Sequence, residues 1–335
     1  MYQFAAGCAV HNRNVFSYTL HISQERMCRT SAAVNKLVMN SVALKISRAH
    51  LIRFASPWTN FCTKRFNSSS VNSRQAFLEP LECQAGIMCL SLNRPQSKNA
   101  ISTTLLKELI QCLDTAQFDK SIRVLILRSS TTGSFCAGAD LIERRSMSQA
   151  QVARFLSDLR VALGKLETLP MPTIAVIDGP ALGGGLELGL ACDLRVAGRN
   201  VTKIGLPETA LGIIPGAGGT QRATRLVGPA RAKDLIFTAR MLSATEALEW
   251  GLVDYISSPE SDAFERAVQL ASQISNNAPL ALRAAKQAIS RSEDLALEPG
   301  LDFERASYET LLSTQDRMEA LVAFKEKRRP VFRGE

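Results

Sequence analysis

Residues 172–198, PTIAVIDGPALGGGLELGLACDLRVAG, constrain the fold more than any other stretch of the chain. The segment PTIAVIDG reads as a strand and leads into three consecutive glycines, Gly183, Gly184 and Gly185. The glycines open a second apolar segment that carries one carboxylate, Glu187. Glycine weakens a helix, and an ionised carboxylate is costly to bury. Two readings explain the combination. Glycines allow close packing of helix on strand, or they let backbone N–H groups face a ligand at a helix N-terminus. A nucleotide-phosphate loop fits poorly: the chain has no GxxxxGK[ST], and neither GPALGGG nor GAGGTQ matches GxGxxG.

The elements around this run alternate. IMCLSLNRP (87–95) reads as a strand ended by Pro95, in a folded part that begins near Leu78. STTLLKELIQCLDTAQ (102–117) has helical spacing, with Ser102 as N-cap. IRVLILRSS (122–130) reads as a strand covered on both faces. GSFCAGADLIERR (133–145) reads as a Gly-rich turn into a helix, followed by a helix over 148–168 and a strand at 193–198. From about residue 229 onward the pattern is almost entirely helical. Alternating strand and helix predict an α/β class, and the helical end predicts partner-facing surfaces.

Charge is distributed unevenly. The formal net charge of +9 arises entirely in residues 1–75, where ten Lys and Arg, from Arg13 to Arg74, face a single acid, Glu25. Residues 76–335 hold thirty basic and thirty acidic side chains. A basic, Ser- and Asn-rich, acid-poor leader has the composition of a mitochondrial transit peptide. NSVALKISRAHLIRF (40–54) is the expected presequence helix and TKRFNSSSVNSR (63–74) the processing region, with the matrix as destination. A disordered basic tail is the alternative, and Met39 is an alternative start to Met1.

Several function classes drop out. His11, His21 and His50 all lie in the leader, which removes Ser-His-Asp and Cys-His catalysis and most zinc sites from the body. Cys83, Cys89, Cys112, Cys136 and Cys192 form no CxxC pair and read as buried, reduced thiols. The most apolar run, 171–192, contains Asp178 and Glu187, which argues against a membrane span. An RNA-binding role needs a basic face, but helix 102–117 sets only Lys107 against Glu108 and Asp114.

A second loop sharpens the reading. FCAGADL (135–141) also follows a strand and precedes a helix, with Gly138 giving backbone access. Two such loops can each aim one N–H at a single oxygen, forming an oxyanion hole. Glu208, in IGLPETALGIIPGAGGTQR (204–222), adds a second carboxylate to Glu187. Two carboxylates beside an oxyanion hole, without histidine, point to proton transfer next to a thioester-like carbonyl.

FCAGADL, GPALGGGLELGLACDLRVA and LPETALGIIPGAGGTQR, in this order and spacing, resemble the enoyl-CoA hydratase (crotonase) family over residues 78–335. The resemblance implies an α/β fold with a crotonase-type ββα spiral core and a helical C-terminal region. It divides the chain into a leader (1–75), a core (76–260) and a helical oligomerisation region (261–335). It implies addition of water across the 2,3 double bond of a 2-enoyl-CoA thioester. The acyl group is a short straight chain, as in fatty acid β-oxidation, or methylglutaconyl, as in leucine catabolism. No cofactor and no metal are implied, because coenzyme A is part of the acyl-CoA substrate. The expected assembly is a homotrimer or homohexamer.

The resemblance also assigns positions. Ala139 and Gly184 would donate the two oxyanion N–H bonds, and Glu187 and Glu208 match the two catalytic glutamates. Glu187 would orient the water and Glu208 protonate the α-carbon, a choice the residues alone do not make. Gly216 matches a backbone contact to that water. Ala137 belongs to the loop that meets adenine, Asp140 follows the oxyanion position, and residues near Lys98 line the coenzyme A path. Phe324 and Lys327 would reach the coenzyme A of a neighbouring subunit. Bland roles compete at some of these: Asp140 as a helix N-cap, Phe324 as core filler, Lys327 as a solvated charge. The chain departs from the family at Ile142, where a lysine near the coenzyme A phosphates is usual, leaving Arg144 or Arg145 to substitute. The rivals are an enoyl-CoA isomerase, which manages with one acid at Glu208, and the related thioester hydrolases and decarboxylases, which alter the carboxylate pair.

Overall fold

Three strands with almost no polar residues need cover on both faces, and the fold supplies it. The computed structural model describes residues 73–82 and 84–335. The expected leader features up to residue 72, and Cys83, lie outside the described residues. The body opens with β1 (Ala76–Pro80), β2 (Ile87–Leu92), α1 (Thr103–Phe118) and β3 (Val124–Ser129). There follow α2 (Leu141–Arg145), α3 (Gln149–Glu167), β4 (Thr173–Ile177), β5 (Ala181–Leu182), α4 (Gly184–Leu190), β6 (Leu194–Ala197) and β7 (Ile204–Gly205). Then come α5 (Gly219–Phe237), kinked at Gly228, α6 (Ala244–Trp250) and β8 (Tyr255–Ile256). The chain ends with α7 (Ala263–Ser275), α8 (Pro279–Arg291), α9 (Leu297–Glu309) and α10 (Gln315–Glu326).

The main sheet has the order β1-β2-β3-β4-β6-β8. The β1–β2 pair is antiparallel and every other pairing in this sheet is parallel. Side chains alternate between the two faces, as the strand period requires. Ile87, Cys89, Val124, Ile126, Ile174 and Val176 pack against Ala263, Ala267 and Ala271 of α7. Leu90, Leu92, Leu125, Leu127, Ala175 and Ile177 join the larger core with α1, α3 and α4. α7, which begins just beyond the expected boundary at residue 260, closes one face of the sheet.

Local signals set the helix starts. Ser102 caps α1 by accepting from the Leu105 amide, and Ser148 forms a reciprocal capping box with Gln151 at α3. The buried cysteines bear out the apolar reading: burial pushes the thiols of Cys89, Cys136 and Cys192 up to about 12. Among the described residues, no helix is long and apolar enough to cross a membrane.

A two-stranded parallel sheet, β5 with β7, sits beyond the C-terminal end of β4. Isolated bridges tie Cys136 to Ala181 and Ile101 to Ala139. These short pairings bring the turn after β3, the glycine segment and the stretch before Glu208 together.

Candidate active site

All seven residues of α4 are buried, including Glu187, which is 2 % exposed. The helix can enter the core at this depth because Gly185 has no side chain. A Cβ there would stand 2.2 Å from the Cys136 carbonyl oxygen, well inside contact distance. The packing reading of the glycines therefore holds at Gly185, while its neighbours face something else.

The Gly184 amide is the first of α4, so it has no intrahelical acceptor. Across from it, the bridge between Ile101 and Ala139 uses the Gly138 carbonyl and the Asp140 amide, at 2.7 and 3.1 Å. Parallel bridging in this register turns the intervening Ala139 amide to the opposite side, and it donates to no acceptor among the described residues. A Cβ built on Gly184 would lie 3.6 Å from the Ala139 nitrogen. Two unpartnered amides thus lie side by side, one of them with the positive end of a helix behind it.

The two carboxylates flank this point in different surroundings. Glu187 Oε1 accepts from the amides of Ala217 and Gly219 at 2.8 and 2.7 Å. Burial raises its pKa, while these two amides, Arg222 and Arg144 pull the other way. Glu208 sits in the 3-10 turn Pro207–Leu211 and is 9 % exposed. Its Oε2 is buried without a partner, and its Oε1 lies 2.6 Å from where a Cβ on Gly183 would be. Gly183 has φ +53°, so the residue satisfies both a left-handed backbone and the close approach of Glu208. Burial pushes Glu208 up to about 7, with its own backbone amide opposing and the Glu187 charge adding to the rise.

The remaining expected positions divide. Lys98, exposed, and Ala137 are joined directly, the Ala137 amide donating to the Lys98 carbonyl at 3.0 Å. Gly216 precedes the amide pair that holds Glu187 and packs its open side against Leu156. Asp140 is structurally committed: it caps α2 through the amides of Ile142 and Glu143 and pairs with Arg94 at 2.6 Å. Phe324 is 85 % exposed and Lys327 is the left-handed cap of α10, so neither is held against the site by its own chain.

Sequence reasoning missed the residues that brace these loops. Asn99, fully buried, donates to Ser129 Oγ and to the Phe135 carbonyl and accepts from the Arg94 amide. Arg222 holds the Ala217 carbonyl at 3.0 Å and pairs with Glu167 at 2.7 Å. A single Asn or Arg has no periodicity, so only tertiary contacts single these out. Arg144 and Arg145, both offered as substitutes for the lysine absent at Ile142, part company: Arg145 is exposed, whereas Arg144 stacks 4.9 Å from the Phe155 ring centre.

The model of the family described as enoyl-CoA hydratase/isomerase matches residues 82–335. The chain belongs to the enoyl-CoA hydratase/isomerase family. It is 53 % identical over 272 residues to the enoyl-CoA isomerase/hydratase fer4 of Mycosarcoma maydis, covering 78 % of this chain and 98 % of that protein. It is 48 % identical over 253 residues to the mitochondrial methylglutaconyl-CoA hydratase of Rattus norvegicus, covering 75 % of this chain and 80 % of that one. A crystal structure of enoyl-CoA hydratase from Bacillus anthracis superposes with a TM-score of 0.75 at 44 % identity, covering 78 % of this chain and all 100 % of the other. The body has the crotonase fold, and the chain is an enzyme of this family.

Proposed function

We propose that the protein hydrates a 2-enoyl-CoA thioester. The observation that carries this reading is the meeting of two unpartnered amides, Ala139 and Gly184, with two buried carboxylates of unlike environment. The amides would hold the thioester oxygen as charge develops on it, a contribution worth about two to three orders of magnitude per donor. Glu187, whose Oε1 is fixed by two N–H bonds, would take a proton from water as the water oxygen bonds to the β-carbon. The π electrons of the double bond move toward the thioester oxygen, giving an enolate. Glu208, raised to about 7, would hold a proton near neutral pH and deliver it to the α-carbon, collapsing the enolate to the 3-hydroxyacyl thioester. A proton passed from Glu187 to Glu208 restores the starting state.

Hydration is followed by loss of the conjugated enoyl-thioester absorbance, with crotonyl-CoA and methylglutaconyl-CoA as substrates. Loss of hydration in both Glu187→Gln and Glu208→Gln supports the reading. Undiminished hydration in either variant overturns it. An isomerase reading has one observation in its favour, the free Oε2 of Glu208, which suits a single acid that moves a proton between carbons. That reading requires Glu187→Gln to keep double-bond migration at the wild-type rate.

The methylglutaconyl-CoA hydratase relatives, at 47 to 48 % identity, favour the branched acyl group and so leucine catabolism over β-oxidation. Relatives named mitochondrial, together with the basic leader, support import into the mitochondrial matrix. Residues 1–75 fused to a fluorescent protein should carry it into mitochondria. We also propose self-association, as a homotrimer or homohexamer, through the C-terminal helices. No residue of α9 is buried, and Leu297, Tyr308, Met318, Leu321 and Phe324 are all more than half exposed. Sedimentation of the purified protein as a monomer at micromolar concentration would remove that proposal.

A further inference from the structure

We propose that Arg144 is the specificity-determining residue of this site, and that it selects enoyl-CoA substrates whose acyl chain ends in a carboxylate. The inference rests on the acyl-thioester reading above and deepens it. Arg144 lies on α2, the helix that begins two residues after Ala139, and its amide donates to the Asp140 carbonyl at 2.9 Å. It therefore lies one helical turn, about 5 Å of rise, beyond Asp140, the residue next to the oxyanion amide, and near enough to Glu187 for the two charges to interact.

The guanidinium is partly withdrawn from water and is bonded to no acid among the described residues. Its Nε is buried and has no hydrogen-bond partner, and the group forms no ion pair among the described residues. The acids around it are committed. Glu143 bonds to the amide and hydroxyl of Thr103, Asp140 to Arg94 and the α2 amides, and Glu187 Oε1 to the amides of Ala217 and Gly219. Glu187 acts on Arg144 only through space, and its charge offsets part of the effect of burial on the guanidinium.

Phe155, itself buried, lies under the guanidinium with its ring centre 4.9 Å from Cζ. Stacking on an aromatic ring fixes the plane and leaves the edge N–H groups to a ligand. A planar fork of this kind matches a carboxylate in two parallel hydrogen bonds. A buried N–H without a partner is costly, and an anion that arrives with the substrate would satisfy it while meeting the open edge of the same guanidinium. The coenzyme A phosphates are the other anions available. The inward placement of Arg144, with Arg145 exposed on the same short helix, favours the acyl end.

The test has two arms. In the first, kcat/KM is measured for glutaconyl-CoA and for pent-2-enoyl-CoA, which has the same chain length without the charge. Wild-type protein should prefer glutaconyl-CoA, and Arg144→Met should reduce that preference by about 10- to 100-fold, the loss of a charge-assisted hydrogen-bonded pair. The loss should fall on KM rather than kcat, because a remote carboxylate is bound equally in ground and transition states. Arg144→Lys should recover part of the preference.

In the second arm, binding of the unreactive glutaryl-CoA and pentanoyl-CoA is measured by calorimetry. The wild-type affinity ratio needs no variant, so it can overturn the inference even if Arg144→Met fails to fold, and Arg144→Lys then ties any preference to this residue. Equal affinity of wild-type protein for the two thioesters, or an equal loss for both in Arg144→Met, overturns the inference. Hydration of pent-2-enoyl-CoA with no preference for the carboxylate sinks the Arg144 proposal and leaves the hydratase reading standing. Arg144-dependent selection of glutaryl-CoA without hydration of either enoyl thioester does the reverse.

Discussion

Glu187 and Glu208 are both buried at one site, yet the chain treats them differently. Around Glu187 the backbone is arranged to receive charge: Ala217 and Gly219 point their amides at Oε1, and Arg222 braces the loop that carries them. Around Glu208 the backbone offers its side chain little. Oε2 has no partner, Gly183 yields space and not a hydrogen bond, and the carboxyl is pushed up to about 7. The difference teaches that the same side chain, buried twice at one site, meets different electrostatics according to the N–H groups aimed at it.

The largest effect expected from breaking this contrast is in Glu208→Gln. It should lower kcat for hydration by about 10³- to 10⁴-fold, the upper part of the range for a lost general acid, measured by enoyl absorbance at saturating substrate. Glu187→Gln should cost somewhat less, about 10²- to 10³-fold. The amide oxygen of the new side chain still accepts from Ala217 and Gly219 and preserves the loop. A loss from Glu187→Gln that exceeds the loss from Glu208→Gln would reverse the assignment of acid and base.

Acidity sharpens the same comparison. If Glu208 must be protonated, kcat/KM should fall about tenfold per pH unit once pH passes about 7. A profile flat from pH 6 to 9 would remove Glu208 as the donor. Stability should follow too. The folded state holds the Glu208 proton more tightly than the unfolded chain does, so ionisation costs stability from the ordinary carboxyl range upward, and the full cost is reached above pH 7. Glu208→Gln, which cannot ionise, should therefore melt higher than wild type at pH 8 and lose this advantage near pH 4. The smallest effect is expected at the brace. Glu167→Gln weakens the half-exposed pair with Arg222 and should reduce kcat by no more than about threefold, since exposed ion pairs contribute roughly 0–1 kcal/mol.

Much of the frame was legible in the residues. The apolar strands 87–92, 124–129 and 173–177, and the capped starts of α1 and α3, announce themselves because period and N-cap chemistry are local properties. The candidate site was legible as a set of motifs: FCAGADL, the glycine triplet and LPETALG each stand out against their surroundings. Asp140 was the ambiguous member: its N-cap contacts to Ile142 and Glu143 are local, whereas its pairing with Arg94, forty-six positions away in sequence, is visible only in the tertiary structure. Past residue 260, α7 shares the helical pattern of the C-terminal region and yet packs on the sheet. Periodicity reveals that a helix has an apolar face and says nothing about which surface covers it.

What the sequence determined by itself is the α/β class, the neutral body under a basic leader, and the membership in one family that the ordered motifs carry. Only the tertiary structure decided the electrostatics. Which carboxylate receives two amides, which keeps an orphan oxygen, and which of two adjacent arginines turns inward depend on atoms contributed by distant segments. Desolvation and hydrogen bonding act over a few ångströms in space, so no reading along the chain can supply them.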